Sequence, residues 1–365
     1  MEREHEIAVI GAGPAGAVAA LQACRLGLGP VLLLDKAPLG RQKPCGSGLS
    51  PRAMKLLADL GLWQHIESRA YPISGLALTS PSGRSASVSG KASAVVLPRA
   101  ELDRLLVQQA VAAGARFEPG CRVRRIERRA GLLELETDVG PVAARWVVAA
   151  DGAPARFSRD PSPRRLLLAR MGWFEGRGFR PHTLEMIFHP DWAPHYGWLF
   201  PESEQSFNIG VCLRAEKLGR RSLRRLFDAF AERCFGERLA SARQIGPLRS
   251  HPISTAVLVR HRAPPGVLLA GEAARLANPA TGEGISYAME SGRLAAEAIL
   301  RGRQRCMPAE AVAAGYASSL RRAVTPGFAA AELFCRLGMP VLDAITRLGG
   351  LAAVRRLSSD FLSRI

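Results

Sequence analysis

With 365 residues, 47% hydrophobic and 22% charged, the chain reads as globular, soluble and long enough for two lobes. The formal net charge is +18 and nearly all of it is arginine, since only Lys36, Lys43, Lys55, Lys91 and Lys217 are lysine; such a field attracts a pyrophosphate, an acidic carrier protein or an anionic membrane. Nucleic acid ranks last, because no aromatic-interleaved basic strand or zinc-finger spacing occurs, and the seven scattered cysteines, with no CxxC, exclude a disulfide framework and point to reduced thiols in the cytoplasm.

The chain opens on Ile7–Gly16, IAVIGAGPAG. An apolar run enters Gly11-x-Gly13-x-x-Gly16, an Ala-rich segment follows, and a second apolar run ends at Asp35. This is the order strand, glycine turn, helix, strand, acid. Gly11 permits the turn, Gly13 lets a pyrophosphate approach the backbone and Gly16 lets the helix pack on the strand. The helix start offers free N–H groups, and Asp35 is placed for ribose hydroxyls. Ile7–Ala23 is uncharged, yet its Gly-x-Gly-Pro interruption and acidic approach argue against a signal sequence or a membrane span.

Lys36–Ser50 is rich in Gly, Pro and Ser and carries Arg41 and Lys43; it reads as a loop folding back over the dinucleotide, before a helix over Pro51–Leu62. Tyr71–Val96 reads as a hairpin broken at Pro81-Ser82-Gly83. Arg99 opens an amphipathic helix through Ala113, with Leu102, Leu105 and Leu106 on one face. Ala115–Arg125, Leu132–Thr137 and Val142–Ala150 read as strands, the last closing on Asp151-Gly152, and Arg122, Arg124, Arg125, Arg128 and Arg129 read as a solvated face. Leu166–Arg262 suits a mainly antiparallel sheet over a pocket, with one helix near Leu223–Phe235. Val267–Ala270 is a short buried strand running into Gly271-Glu272, followed by a loop, a long Ala-rich helix and amphipathic helical sequence beyond Glu310.

Four separated pieces act as a set: the glycine turn, the Arg99-x-x-Leu-Asp helix start, Asp151-Gly152, and Gly271-Glu272-Ala-Ala with Pro279-Ala-Thr-Gly282-Glu-Gly284. Their order resembles the FAD-containing aromatic-hydroxylase superfamily. Within it, Lys43–Ser50 (KPCGSGLS), Tyr196–Pro201 (YGWLFP) and Asn278–Gly292 (NPATGEGISYAMESG) are similar to the geranylgeranyl reductase branch, whose members reduce isoprenoid double bonds. The resemblance spans about residues 5–305. It implies an α/β chain: a Rossmann-type, glutathione-reductase-like FAD-binding domain with a parallel sheet (1–70, 97–160 and 262–305), an inserted mainly antiparallel β-sheet substrate domain (71–96 and 161–261) and a C-terminal helical segment (306–365).

The resemblance also implies roles. Gly11, Gly13 and Gly16 would hold the FAD pyrophosphate, Asp35 the adenosine ribose and Arg99 the ribityl-phosphate side, with Ala15 and Lys36 also at the cofactor. Glu272 would serve the ribityl hydroxyl or pyrophosphate region, Cys45 would sit near the flavin or the substrate entrance, and Gly46, Asp151, Gly271, Pro279, Gly282, Gly284 and Ile285 would also belong to the cofactor site. Gly282 and Gly284 precede a helix whose positive end can face the flavin and stabilise its anionic reduced form. Glu272 stands where aspartate is usual, and Ala155 follows Asp151-Gly152 where serine is commoner, so weak or exchangeable FAD is an expectation. For catalysis the candidates are Cys45, which could equally be loop filler; Tyr196 and Trp198, which alternate with Phe200 on one strand face as tunnel wall or plain core; and Glu283, a proton relay or a simple helix-start carboxylate. His182, His189, His195, His251 and His261 show no metal spacing and read as structural.

The leading expectation is an FAD-dependent oxidoreductase that reduces C=C bonds in a prenylated or long apolar substrate, with NAD(P)H as transient reductant because one dinucleotide fold is visible. Alternatives are a monooxygenase acting on an aromatic or carrier-bound group, a flavin halogenase using Lys91, and a flavin-binding protein without turnover. Expected partners are an apolar or anionic small molecule and an acidic carrier or a membrane surface, in the cytoplasm or peripheral to a membrane.

Overall fold

The computed structural model describes residues 4–162, 165–256 and 260–347. The first stretch runs β1 (Glu4–Ile10), α1 (Pro14–Arg25), β2 (Val31–Asp35), β3 (Gly48–Leu49), α2 (Pro51–Asp59), β4 (Tyr71–Thr79), β5 (Ser85–Val96) and α3 (Arg99–Ala112). It continues through β6 (Arg116–Pro119), β7 (Val123–Arg129), β8 (Leu132–Thr137), β9 (Val142–Ala149) and β10 (Arg165–Glu175). Then come β11 (Thr183–Ile187), β12 (Gly197–Pro201), β13 (Ser206–Arg214), α4 (Ala215–Leu218), α5 (Leu223–Ala240) and β14 (Arg243–Thr255). The chain closes with β15 (Val267–Leu269), α6 (Ile285–Gln304) and α7 (Ala309–Arg347).

Two sheets divide these strands. The first has the order β6-β2-β1-β9-β8-β7, with β15 added beside β9. Pairing is parallel among β6, β2, β1, β9 and β15 and turns antiparallel at β8 and β7. The apolar runs VLLL in β2 and VLL in β15 are buried throughout, as expected for strands covered on both faces. The second sheet has the order β14-β10-β13-β12-β11-β4-β5-β3 and is antiparallel except where β11 lies parallel to β4. The first sheet therefore gathers its strands from three separated lengths of chain, with most of the second sheet between them.

The glycine turn between β1 and α1 is set by sterics. Gly11 has φ +98°, a conformation L side chains avoid, and a Cβ there would lie 2.3 Å from the Ala150 carbonyl oxygen. A Cβ on Gly16 would lie 1.8 Å from the Gly11 oxygen, so α1 sits against the turn at a spacing only glycine permits. Gly16 thus acts through packing and does not line the cavity described below.

One strand expectation is corrected. Ala115–Arg125 is not a single strand: Pro119 removes a ladder donor and Gly120 turns at φ +74°, so the segment becomes β6 and β7, at opposite edges of the sheet. The basic cluster there is ion-paired on the surface, Arg124 with Asp138 at 2.7 Å and Arg129 with Glu127 at 2.9 Å. Arg122 departs from it and faces the cavity. Sequence beyond Glu310 forms the single long helix α7, with Pro326 and Pro340 inside it; the expected segment past residue 347 lies outside the described residues.

The second sheet has two working faces, as the period of two in a strand requires. On one, Leu199, Ile209, Val211 and Leu213 pack on Phe227 and Phe230 of α5. On the other, Met171, Met186, Trp198, Phe200 and Cys212 form a second apolar cluster, which looks onto the site.

Candidate functional site

A cavity of about 750 Å³ lies between the carboxyl ends of the first sheet and the apolar face of the second. Ligands of open α/β sheets bind outside the strand carboxyl ends. One wall is the glycine turn with Gly11, Gly13 and Ala15, then Asp35 and Lys36 at the end of β2, and Asp151 after β9. The opposite wall is Met171, Leu184, Met186, Tyr196, Trp198 and Phe200. Cys45 and Gly46 enter from the Lys36–Ser50 loop, and Gly271, Glu272, Gly282, Glu283, Gly284 and Ile285 from the segment leading into α6. Segments far apart in sequence therefore meet in one space. Pro279 is the exception: its carbonyl accepts from His195 Nε2 (2.9 Å) and from the Cys335 thiol, and it lines a separate small cleft. It acts by anchoring the loop rather than by facing the cavity.

The residues fit a dinucleotide. Asp35 is buried and oriented, its two oxygens accepting from Ala12 N (2.7 Å) and Ala37 N (2.8 Å). Arg99 stands over the turn, its Nη2 3.8 Å from where a Gly13 Cβ would be. It is held by a buried two-pronged pair with Asp103, at 3.0 and 2.9 Å. Burial pulls the Arg99 guanidinium down, but Asp103 outweighs it and keeps the group charged. Asp151 Oδ2 accepts from Arg156 N (2.9 Å), whereas Oδ1 is buried and has no partner among the described residues. An orphaned carboxylate oxygen at a cavity wall costs roughly 1–3 kcal/mol or more, and the ribityl hydroxyls of FAD are donors of the kind it lacks. Lys36, Arg41, Lys43, Arg122 and Arg156 also line this space, a cationic setting for a pyrophosphate.

Glu272 answers the departure seen in the sequence. Its longer side chain reaches across to the second sheet: Oε1 accepts from Ser254 N of β14 (3.2 Å), and Oε2 faces His251 Nε2 (3.4 Å) and Lys43 Nζ (3.6 Å). Burial pushes its carboxyl up, but His251, Lys43 and the Ser254 N–H together hold it below the usual range. Burial and the nearby Arg99 charge lower the Lys43 ammonium. The extra methylene thus ties the segment after β15 to β14 and to the Cys45 loop. His251, read as structural from sequence, lines the cavity. No spacing could have flagged it, since Glu272 and Lys43 come from a separate turn and a separate loop; Lys43 could have been found from its place two residues before Cys45.

The loop into α6 is built by its own side chains. Asn278 Oδ1 accepts from Ala280 N (2.9 Å) and Thr281 N (3.2 Å), and Tyr196 donates its hydroxyl to the Thr281 carbonyl at 2.6 Å. Glu283 receives Ser286 N (2.9 Å) and Ser286 Oγ (3.0 Å), capping α6. The helix N-terminus is thereby fixed against the cavity, where its partial positive charge favours an anion. Burial pushes the Glu283 carboxyl up to about 7 from an ordinary 4.5, against the Ser286 hydrogen bonds.

The protonated form of Glu283 is favoured in the fold, so this group's contribution is complete below pH 4.5 and is lost as pH rises through about 7. Thermal melts of the apoprotein should show Glu283→Gln, which is isosteric and uncharged, losing less stability than wild type across that window, by up to about 3 kcal/mol. Parallel pH profiles would disprove it.

The aromatic wall is also pinned. Trp198 Nε1 donates to Asn208 Oδ1 (2.7 Å), and the Asn208 amide donates to the Gly46 carbonyl (3.2 Å) and Glu202 Oε1 (2.9 Å). Asn208 is fully buried, so one side chain sets the spacing between Trp198 and the Cys45-Gly46 loop. Burial pushes the Tyr196 phenol well up, and the ring stays a neutral donor. Lys91, the halogenase candidate, is exposed on β5 and does not line the cavity.

Comparison with known proteins agrees with this geometry. The FAD-binding domain family model matches residues 4–161. A digeranylgeranylglycerophospholipid reductase of Methanopyrus kandleri is 32% identical over 306 residues, 80% of this chain and 80% of that one. A menaquinone reductase of Mycobacterium tuberculosis is 34% identical over 325 residues, 80% of this chain and 76% of that one. A solved geranylgeranyl bacteriochlorophyll reductase-like protein of Thermoplasma acidophilum superposes with a TM-score of 0.83 at 24% identity, covering 95% of this chain and 91% of that one, and shares the fold. The glycine cradle, the apolar wall and these relatives lead to one assignment: the chain belongs to the geranylgeranyl-reductase-like family of FAD-dependent oxidoreductases.

Proposed function

We propose that this protein reduces carbon–carbon double bonds in the polyprenyl chain of an amphiphilic substrate, using FAD that NAD(P)H reduces transiently. The observation that carries this is the single cavity with a polar dinucleotide cradle on one wall and an apolar aromatic wall on the other. A prenylated glycerophospholipid and menaquinone, named for two relatives, share such a chain.

FAD, when bound, supplies the hydride that goes to one alkene carbon; a proton goes to the other. Gly11, Gly13 and Arg99 bind the pyrophosphate, Asp35 the ribose, and Asp151 a ribityl hydroxyl. The α6 N-terminus at Gly282–Ile285 favours negative charge on the ring. Tyr196, Trp198 and Phe200 orient the chain and exclude water from it. Glu283 holds a proton on its carboxyl for part of the time at neutral pH, and Cys45 brings a thiol to the same space.

The test is anaerobic. Holoprotein reduced by NADPH, NADH or dithionite is mixed with a digeranylgeranylglycerophospholipid in one arm and menaquinone in the other, and products are read by mass spectrometry. Gain of two hydrogens per reduced bond in the chain supports the reading, and the productive arm identifies the head group. An oxygenated product after air is admitted, with no saturated product, would overturn it in favour of a monooxygenase. Turnover with dithionite but with neither nicotinamide would remove NAD(P)H alone.

A further inference from the structure

The outward face of α7 has a composition that the cavity does not explain. Among the positions from 321 to 347 whose burial is described, every exposed residue is apolar or arginine. Leu333, Leu337 and Val341 are 57%, 60% and 50% exposed and four residues apart, so they form one stripe along the helix. Arg322, Arg336 and Arg347 are exposed along the same face, and the other exposed positions between them are alanine and proline. The two acids of the segment are turned away. Glu332 is only 7% exposed and is paired with Arg165 and Arg214 at 3.2 Å and Arg336 at 3.4 Å, while Asp343 accepts from Ser82 N at 3.2 Å.

The inner face of the same helix leads to the site. Met339 and Leu342 pack against the cluster of Met171, Trp198 and Phe200 that lines the cavity. α7 therefore separates an apolar cavity from an exposed apolar stripe edged by arginines. No described helix is long and apolar enough to cross a membrane. An apolar stripe with arginine and no acid is what a helix lying in the plane of an anionic bilayer requires. A second copy of the chain would instead bring the same arginines to the contact, a like-charge arrangement that opposes pairing.

We propose that the outward face of α7 docks onto an anionic lipid bilayer, Leu333, Leu337 and Val341 entering the acyl boundary while the arginines meet lipid phosphates. This deepens the functional reading above and rests on it, since a polyprenyl lipid has to leave a bilayer to reach the cavity.

The test is sedimentation of the full-length holoprotein with vesicles of phosphatidylcholine alone and of phosphatidylcholine mixed with phosphatidylglycerol. Wild type is expected to pellet with the mixed vesicles at low salt and to release at high salt. The triple variant L333Q/L337Q/V341Q should lose about tenfold or more in vesicle affinity, and R322Q/R336Q/R347Q should lose the dependence on phosphatidylglycerol. Both should keep their flavin and wild-type turnover of detergent-dispersed substrate, which reports an intact fold. Three results would overturn the proposal: wild type remaining in the supernatant, the leucine–valine variant binding like wild type, or light scattering showing that this variant only converts a dimer to a monomer. Vesicle binding with no reductase turnover would support the surface and sink the reductase reading; turnover in detergent with no vesicle binding would do the reverse.

Discussion

Gly16→Ala is expected to yield a colourless protein. The new Cβ would lie 1.8 Å from the Gly11 carbonyl oxygen and 3.1 Å from Val9 Cγ1. Backbone cannot yield at that distance, so α1 must move off β1 and carry its N-terminus away from the pyrophosphate. Overpacking of this kind costs about 1–3 kcal/mol of fold stability, and FAD affinity should weaken by about a hundredfold or more, roughly 2.7 kcal/mol. Gly13→Ala is the informative partner. A Cβ there meets only the Arg99 guanidinium, at 3.8 Å, so the apoprotein should melt within about 1 kcal/mol of wild type while FAD still binds more weakly, because the methyl occupies the pyrophosphate's approach. Flavin absorbance after purification and apoprotein melting curves check both. A Gly16→Ala protein that purifies with wild-type flavin content would contradict the packing argument.

Gly210→Ala should separate substrate handling from cofactor binding. Gly210 pairs with Trp198 across β12 and β13, and a Cβ there would lie 2.2 Å from Trp198 Cζ2. The indole cannot slide away freely, because its N–H is fixed on Asn208 at 2.7 Å. It must swing into the cavity or break that bond. A displacement of about 1 Å at such a wall can cost about a hundredfold in rate, so kcat/KM for a prenylated substrate should fall on that order with FAD affinity unchanged. Trp198→Phe in the same background removes the clashing ring atoms and should recover part of the loss. If Gly210→Ala turns over like wild type, Trp198 is not part of the working wall.

Much of this was readable in the chain. The glycine turn, Asp35 and the two strands around them are local: each depends on neighbours within about thirty residues and on rules of backbone sterics and helix termini. Tyr196, Trp198 and Phe200 were legible as one face because strand periodicity is local too. The break at Gly120 was also in the sequence, as a Pro-Gly pair, but the segment's strand-like residues on both sides masked it. His251 was not legible. It becomes a cavity residue only because β14 pairs with β10 and brings it to Glu272 on a segment some twenty residues away. Arg122 reads as one member of a solvated cluster and is indeed exposed, but only the turn after β6 also sets it beside the cavity.

Glu272 divides the two kinds of information most clearly. That a carboxylate with one extra methylene stands at a cofactor motif is plain from the chain, and the dinucleotide fold, the doubling back and the family follow from short motifs in order. Where that carboxylate goes is set by the packing of distant segments. Its reach to Ser254, His251 and Lys43 joins three segments that no local rule connects. The same holds for the outward stripe of α7, whose leucines are visible in the chain but whose exposure is set by what the helix packs against. Spacing fixes which side chains share a face; solvent, sheet pairing and the fit of distant segments decide what that face meets.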